Sequence, residues 1–337
     1  MICQKNLNLR EIYADDLIIM STSHKSLQKC IRKLEQYCIR WKLEVNLKKT
    51  KIMIFNKQGS AIKRYKFFYK NAAIENVEEY KYLGFIFTCS GSDNAGITNL
   101  LKQAKKAWYA IRYYLRTSKN KQISTYLHIF DTQVRPILLY VCEAWAESLK
   151  ENETILQNLQ KNSIEKFHMS VLKQLLGVHK KTSNIAVLLD TGRHPLSLTA
   201  KLQAIKYFLR FPAIKHNRLL SAYHESEKLT TGTFTNFVAT NLNKIGMGNI
   251  WREQLIHNKN MSEDKKVMNG IRRRMTDISS QTIVTTLTKN TGKLDFLAIS
   301  KKDHKFEKYL YIHNFEHRRA ISKLRTSSHK LEIETGR

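Results

Sequence analysis

Apolar and polar residues recur along this chain with two different periods, which divide it into a strand-rich part and a helix-rich part. Up to about residue 90, short apolar runs bounded by turn-forming residues predict β-strands. The exception is a stretch with a period of three to four residues, which predicts one amphipathic helix with Ser23 as its N-cap. Its apolar positions are Leu27, Cys30, Ile31, Leu34, Tyr37, Cys38 and Trp41.

Two adjacent carboxylates lie between apolar flanks near the start of the chain. Asp15 and Asp16 follow Tyr13-Ala14 and precede the apolar run 17–20, which predicts a β-hairpin with the acids at or near its tip. Further on, the pattern predicts a buried strand over 52–55 and several short strands within 65–89.

From about residue 95 the apolar positions follow a helical period. Helices are predicted over 97–115, over 123–145 with a kink at Pro136, and over 153–176 with Gly177 as C-cap. Further helices are predicted as a pair within 182–211, as fragments at 249–258 and 262–275, and over 303–325. The fold class predicted from this order is α+β.

The charge balance indicates a polyanionic partner. The 337 residues include 58 Lys and Arg against 28 Asp and Glu, a net charge of +30. This excess is spread over the whole chain, so no single basic tail explains it, and nucleic acid is the natural partner. A generally lysine-rich proteome is the alternative explanation.

The cysteines give no sign of a metal or redox site. Five cysteines stand far apart without a CxxC pair, so we expect no zinc. Their odd number and the lack of a secretory signal predict an intracellular protein, nuclear or cytoplasmic. Without a run of about 18 apolar residues, no membrane span is predicted.

Several motifs, in a fixed order, resemble the reverse transcriptases of non-LTR (LINE-like) retrotransposons. YADDLIIMS at 13–21 is followed by a helix, by N-x-x-K-T-K at 46–51 and by YLG at 82–84. Beyond these, the segment 167–196 ends in a GR-x-PL element, and 321–337 resembles the segment that precedes a zinc-binding motif in many such elements. Each piece alone is weak, but the ordered set is specific.

The resemblance implies a partial reverse-transcriptase palm over 1–90, a helical thumb over 95–176, a helical post-thumb region over 177–225 and a basic, partly helical C-terminal region over 226–337. It implies RNA-directed DNA synthesis, with an RNA template and an RNA–DNA duplex as partners. Mg²⁺ (or Mn²⁺) is the implied cofactor, since it takes hard oxygen ligands together with substrate phosphates.

Individual roles follow from the motif positions. Asp15 is the implied metal ligand and Asp16 its partner, while Tyr13 and Ala14 pack beside the primer end. Lys49 or Lys51 approaches the triphosphate, with a solvated turn held by salt links as the alternative.

Other positions are assigned to the primer and the duplex. Leu83 and Gly84 belong to the hairpin that supports the primer strand, although a simple bend also explains Gly84. The thumb helix would contact the nucleic-acid backbone, unless its basic residues form only a solvated face. These residues are Lys102, Lys105, Lys106, Arg112 and Arg116. Trp108, Tyr109, Tyr113 and Tyr114 are predicted to be core or rim aromatics rather than base-stacking platforms.

The chain also departs from the family pattern. A further metal-binding aspartate lies far upstream of YADD in the family, whereas only twelve residues precede Tyr13 here and Glu11 cannot replace that ligand. We therefore expect an element truncated at both ends, with an incomplete metal site and impaired catalysis. The alternatives are a non-catalytic module that binds RNA or an RNA–DNA duplex, and the product of a decayed element.

Overall fold

The computed structural model describes residues 9–56, 65–117, 122–149, 155–210, 234–257, 261–289 and 294–328. These residues fall into two compact units, a strand-rich unit up to Asn99 and a helical unit from Leu100 onward. Short strands in parallel and antiparallel pairs, followed by many helices, confirm the predicted α+β class.

The strand-rich unit contains seven strands, one complete helix and the start of a second helix. They are β1 (Leu9–Tyr13), β2 (Asp16–Met20), α1 (His24–Arg40), β3 (Lys51–Ile52), β4 (Phe67–Tyr69), β5 (Ala72–Asn76), β6 (Glu79–Tyr82), β7 (Phe85–Thr88) and the first turn of α2 (Asn94–Thr117). β1–β2 and β6–β7 are antiparallel hairpins, while β5 lies between antiparallel β4 and parallel β3. The strand predicted over 52–55 was wrong in extent, because β3 covers only Lys51–Ile52.

Helix α1 packs its apolar face on the three-stranded sheet. Cys30, Ile31 and Cys38 are buried as predicted, and Ile31 shares a core with Phe67 and Ile74. Ser23 is the N-cap, and its hydroxyl accepts from the Ser26 N–H at 3.2 Å. The predicted stripe fails at its C-terminal end, because Tyr37 and Trp41 lie exposed.

The outer edge of β4 is closed by side chains of α1. Gln28 donates from Nε2 to the Phe68 carbonyl at 2.7 Å and accepts from the Phe68 N–H at 2.9 Å. The Glu35 carboxylate accepts from the Lys70 N–H at 3.2 Å. These bonds replace a neighbouring strand, since an unpaired edge exposes backbone groups that pair with other chains.

The helical unit continues α2 and adds helices of very different length. They are α3 (Ile123–Ile129), α4 (Arg135–Leu138), α5 (Cys142–Trp145), α6 (Ile155–Lys161), α7 (Ser163–Leu176), α8 (Asn184–Thr191), α9 (Leu196–Arg210), α10 (Phe234–Lys244), α11 (Gly248–His257), α12 (Lys265–Lys289), α13 (Asp295–Ser300) and α14 (Phe315–Arg325). The buried core of this unit joins α7, α8 and α12, with Leu172, Leu188 and Ile283 fully buried.

Two predicted helices are interrupted. The helix predicted over 123–145 contains a π-helical turn at Phe130–Val134, which ends two residues before Pro136, and it is broken at Val141, whose φ is 53°. The helix predicted over 153–176 divides at Asn162, whose side chain accepts from the Ile164 N–H at 2.8 Å and caps α7. Domain boundaries at 176 and 225 stay predictions.

Candidate active site

A two-residue turn presents the two adjacent carboxylates. Tyr13 pairs with Asp16 at the end of the β1–β2 ladder, so Ala14 and Asp15 alone form the loop. Ala14 has φ of 55°, in the left-handed region that hairpin turns of this length require. The predicted hairpin is therefore confirmed, with Asp15 in the loop and Asp16 at the first position of β2.

Both carboxylates are exposed. Within the described residues, Asp15 and Asp16 form no salt bridge, and no group of three or more His, Cys, Asp or Glu side chains is placed to hold a metal ion. Two unpaired carboxylates are hard oxygen donors that fit Mg²⁺, which binds through one or two carboxylates and substrate phosphates. The side chain of Tyr13 lies outside the described part of the structure.

The N-x-x-K-T-K motif forms a closed turn before β3. Asn46 accepts from the Lys49 N–H through Oδ1 at 3.2 Å, and its carbonyl accepts from the Thr50 hydroxyl at 2.9 Å. The Tyr80 hydroxyl of β6 donates to the Lys49 carbonyl at 3.0 Å and joins this turn to the last hairpin. Asn46 and Thr50 therefore fix the backbone of the motif and leave the Lys49 side chain exposed.

Lys51 forms an ion pair with Glu75. The two residues face each other in the parallel pairing of β3 with β5, and the Lys51 side chain is 22% exposed. This geometry agrees with the alternative of a turn held by salt links. Glu75 was not singled out from the sequence, because a pairing between strands so far apart carries no local signal.

The YLG motif forms the tip of the β6–β7 hairpin. Tyr82 pairs with Phe85, which leaves Leu83 and Gly84 as the loop, with φ of 44° and 85°. Positive φ at both loop positions matches a type I′ turn, in which glycine is favoured at the second position. Leu83 is 39% exposed at this tip.

The basic face predicted for α2 lies at the surface. Lys102, Lys105 and Lys106 are exposed and Arg112 is half-buried, whereas the side chains of Tyr114 and Arg116 lie outside the described residues. Trp108 is buried and meets the Phe130 ring edge-on, at 6.0 Å between centroids.

Two tyrosines share the exposed face of α2 with the lysines. Tyr109 and Tyr113 are 52% and 70% exposed, so neither belongs to the core, whereas Trp108 does. Lys102, Lys106, Tyr109 and Tyr113 are spaced by four, three and four residues, which places them along one side of the helix.

The GR-x-PL element forms a junction in the helical unit. A Cβ on Gly192, whose φ is 59°, would lie 2.5 Å from the Phe306 backbone nitrogen. Arg193 donates to both oxygens of Asp131, and His194 contacts the Ser279 hydroxyl at 3.1 Å. This element thus holds distant segments together, a role that the sequence pattern alone did not reveal.

Comparison with known proteins identifies the strand-rich part. Residues 5–87 match the family "Reverse transcriptase (RNA-dependent DNA polymerase)". This segment is therefore similar to the reverse transcriptases. The match includes the carboxylate hairpin, the N-x-x-K-T-K turn and the YLG hairpin. Reverse transcriptases depend on divalent metal and bind a nucleic-acid template.

A curated relative supports the same assignment. The chain is 27% identical over 177 residues to a transposon-derived protein of Caenorhabditis elegans, covering 51% of this chain and 57% of that protein. No solved structure matches significantly. Both positive findings agree with a reverse transcriptase from a retrotransposon. None of the helices in the described ranges is long and apolar enough to cross a membrane.

Proposed function

We propose that this chain carries the catalytic hairpin and a nucleic-acid-binding helix of an RNA-directed DNA polymerase from a non-LTR retrotransposon. The observation that carries the proposal is the β1–β2 turn, which exposes Asp15 and Asp16 side by side within the segment of reverse-transcriptase type. The transposon-derived relative supports the type of element.

Asp15 and Asp16 would hold Mg²⁺ (or Mn²⁺) through their carboxylate oxygens. Such a metal, when bound, activates a primer hydroxyl and stabilises the departing pyrophosphate. Ala14 sets the turn that keeps the two carboxylates adjacent, and the Leu83–Gly84 tip would support the primer. The exposed Lys49 is better placed than Lys51 to approach a triphosphate, since Lys51 is paired with Glu75.

We further propose that another polypeptide segment completes the metal site. The two carboxylates of the hairpin have no third acidic or histidine ligand beside them in the described ranges. The loss of one metal carboxylate in a two-metal site removes much of the transition-state stabilisation. The chain by itself would therefore show little or no polymerase activity.

The experiment measures Mn²⁺ bound to the full chain by water-proton relaxation, with and without dTTP. Asp15→Asn and Asp16→Asn should each weaken Mn²⁺ binding at least tenfold. Glu79→Gln, which removes an exposed acid from the other hairpin, is the matched control and should change it less than twofold. Equal weakening in all three variants would refute a metal site at the β1–β2 turn.

Polymerase activity is tested separately by dTTP incorporation on poly(rA)–oligo(dT). We expect no incorporation above background by the full chain. Robust incorporation that Asp15→Asn abolishes would refute the incomplete site and leave the hairpin assignment intact.

A second candidate function is binding of RNA or an RNA–DNA duplex without catalysis. The exposed lysines of α2 favour it, since binding to phosphates needs such a face. Lys102, Lys105 and Lys106 changed together to Ala should weaken binding similarly on unrelated sequences. The slope of log affinity against log salt should flatten by about 0.7 to 0.9 for each phosphate that a lysine no longer neutralises.

The control for this experiment removes three positive charges from a different helix. Lys25, Lys29 and Lys33 are exposed along α1 at four-residue spacing, and their triple Ala variant should keep the salt slope of the parent chain. An equal loss of affinity in both triple variants would indicate a diffuse charge effect and exclude a specific surface on α2.

A further inference from the structure

A cavity between α6, α7 and the start of α8 is lined by cations and, among the described residues, by no carboxylate. Its volume is about 350 Å³ and it opens to solvent. Lys166, Lys173 and Lys180 contribute to its wall. This volume lies near the lower end of the range for small-molecule sites.

The three lysines lack counter-charges. In the described ranges, none of them forms a salt bridge, whereas Lys51, Lys301 and Lys305 all do. Lys173 donates from Nζ to the Lys180 carbonyl at 2.9 Å, and burial lowers the pKa of its ammonium group. A partly desolvated cation without a carboxylate nearby is stabilised by an anion from outside the chain.

Polar groups of the wall add acceptor and donor capacity. The Gln174 Oε1 is buried without a hydrogen-bond partner in the structure as described, while its Nε2 donates to the Ser170 hydroxyl at 3.2 Å. Asn184, the first residue of α8, also lines the cavity, and the N-cap Ser183 makes no side-chain capping bond there. The N–H groups at that helix start favour negative charge.

The floor of the cavity is apolar. Leu159 and Met169 are buried, and Val178 lies half-buried beside them. A surface of this kind suits the flat face of a base, and methionine adapts well to aromatic partners. The wall thus combines cations for a phosphate, a buried acceptor for an amino or hydroxyl group, and an apolar floor.

We propose that this cavity binds one nucleotide unit, with its phosphate at the lysines and its base against the apolar floor. This goes beyond the proposed function, because the site lies apart from the exposed lysines of α2 and does not require polymerase chemistry. A free mononucleotide and the unpaired 5′ end of a strand share this chemistry, so the experiment separates them.

The test titrates the full chain with AMP, adenosine and inorganic phosphate by calorimetry. AMP should bind at least tenfold more tightly than either fragment, because only AMP fills both parts of the cavity. Lys166→Met and Lys173→Met should each weaken AMP binding at least fivefold. Lys181→Met, which removes an exposed lysine outside the cavity, is the matched control and should change it less than twofold.

A 5′-phosphorylated rA₆ strand distinguishes the two sources. Competition with AMP would support a strand end as the occupant, and AMP binding without competition would support a free nucleotide. The proposal is overturned if phosphate binds as tightly as AMP, if AMP does not bind at millimolar concentration, or if Lys181→Met has the same effect as Lys166→Met. Lys166 is exposed, so its variant should fold even if Lys173→Met does not.

The α2 triple variant separates this proposal from the proposed function. Lys102, Lys105 and Lys106 changed to Ala should leave the affinity for AMP unchanged. If AMP binding fails while duplex binding by the parent chain persists, the cavity proposal alone is wrong.

Discussion

The carboxylate of Asp190, fully buried at the end of α8, forms a salt bridge with the Arg325 guanidinium of α14, at 2.9 Å between Oδ1 and Nη2. The Tyr309 hydroxyl donates to the same carboxylate at 2.8 Å. A buried carboxylate requires such partners, because desolvation without them costs several kcal/mol. The pair therefore fixes α14 against the core of the helical unit.

Replacement of Asp190 by Asn should destabilise the chain strongly. The largely buried Arg325 would then keep only the more distant Glu307 carboxylate, at 3.4 Å from its Nη2, so the loss should be about 3 kcal/mol. Urea unfolding followed by circular dichroism measures the change. Asp277→Asn is the control, because the ion pair of Asp277 with Arg273 is exposed and its loss should change stability by less than about 1 kcal/mol. Similar effects of both variants would contradict the buried pair.

Gly96 should tolerate no side chain. A Cβ at this position of α2 would lie 2.2 Å from Cζ of the buried Phe85 ring. Gly96→Ala should destabilise the strand-rich unit by about 1–3 kcal/mol, as overpacking does. Gly270→Ala in α12 is the control, since the nearest atom lies 3.5 Å away and the helix should gain up to about 1 kcal/mol. Thermal unfolding should show a lower melting temperature for Gly96→Ala and a higher one for Gly270→Ala.

Stability should decrease as the pH falls from about 6.5 to about 4. Burial, with His304 and Arg193 nearby, lowers the pKa of His194 from 6.5 to about 4. The unfolded chain therefore binds a proton in this window that the folded chain does not, and protonation favours unfolding. The pKa of His168 is lowered by burial as well, with the same sign.

Urea unfolding at several pH values between 4 and 7 tests this dependence. His194→Gln should flatten the profile, because it removes one of the titrating groups. His317→Gln changes an exposed histidine of α14 and should leave the profile as it is. If His194→Gln does not alter the dependence of stability on pH, other groups cause the acid sensitivity.

Substitution of Lys51 and substitution of Glu75 should have similar effects on stability. Because they form one ion pair on neighbouring strands, Lys51→Met and Glu75→Gln should each lower stability by up to about 1 kcal/mol. Neither should change dTTP binding, which equilibrium titration measures. A loss of dTTP affinity in Lys51→Met alone would show that Lys51 contacts the triphosphate.

Local patterns predicted the elements that depend on neighbouring residues. The turn at Asp15, the N-cap Ser23, the C-cap Gly177 and the basic face of α2 all follow from spacing within a few residues, and the structure has them. The apolar period predicted helices that were too long, because the residues that end a helix there carry no strong local signal. The left-handed Val141 is an example, because a β-branched residue rarely adopts positive φ.

The sequence by itself determined the fold class, the carboxylate hairpin and the basic character of the chain, since period, turn chemistry and charge are local properties. Only the tertiary structure decided that Lys51 pairs with Glu75, that Arg193 pairs with Asp131, and that Asp190 is buried against Arg325. These partners lie 24, 62 and 135 residues apart. Packing of distant elements brings these partners together, and a carboxylate that packing buries fully, as at Asp190, costs least when an opposite charge lies against it.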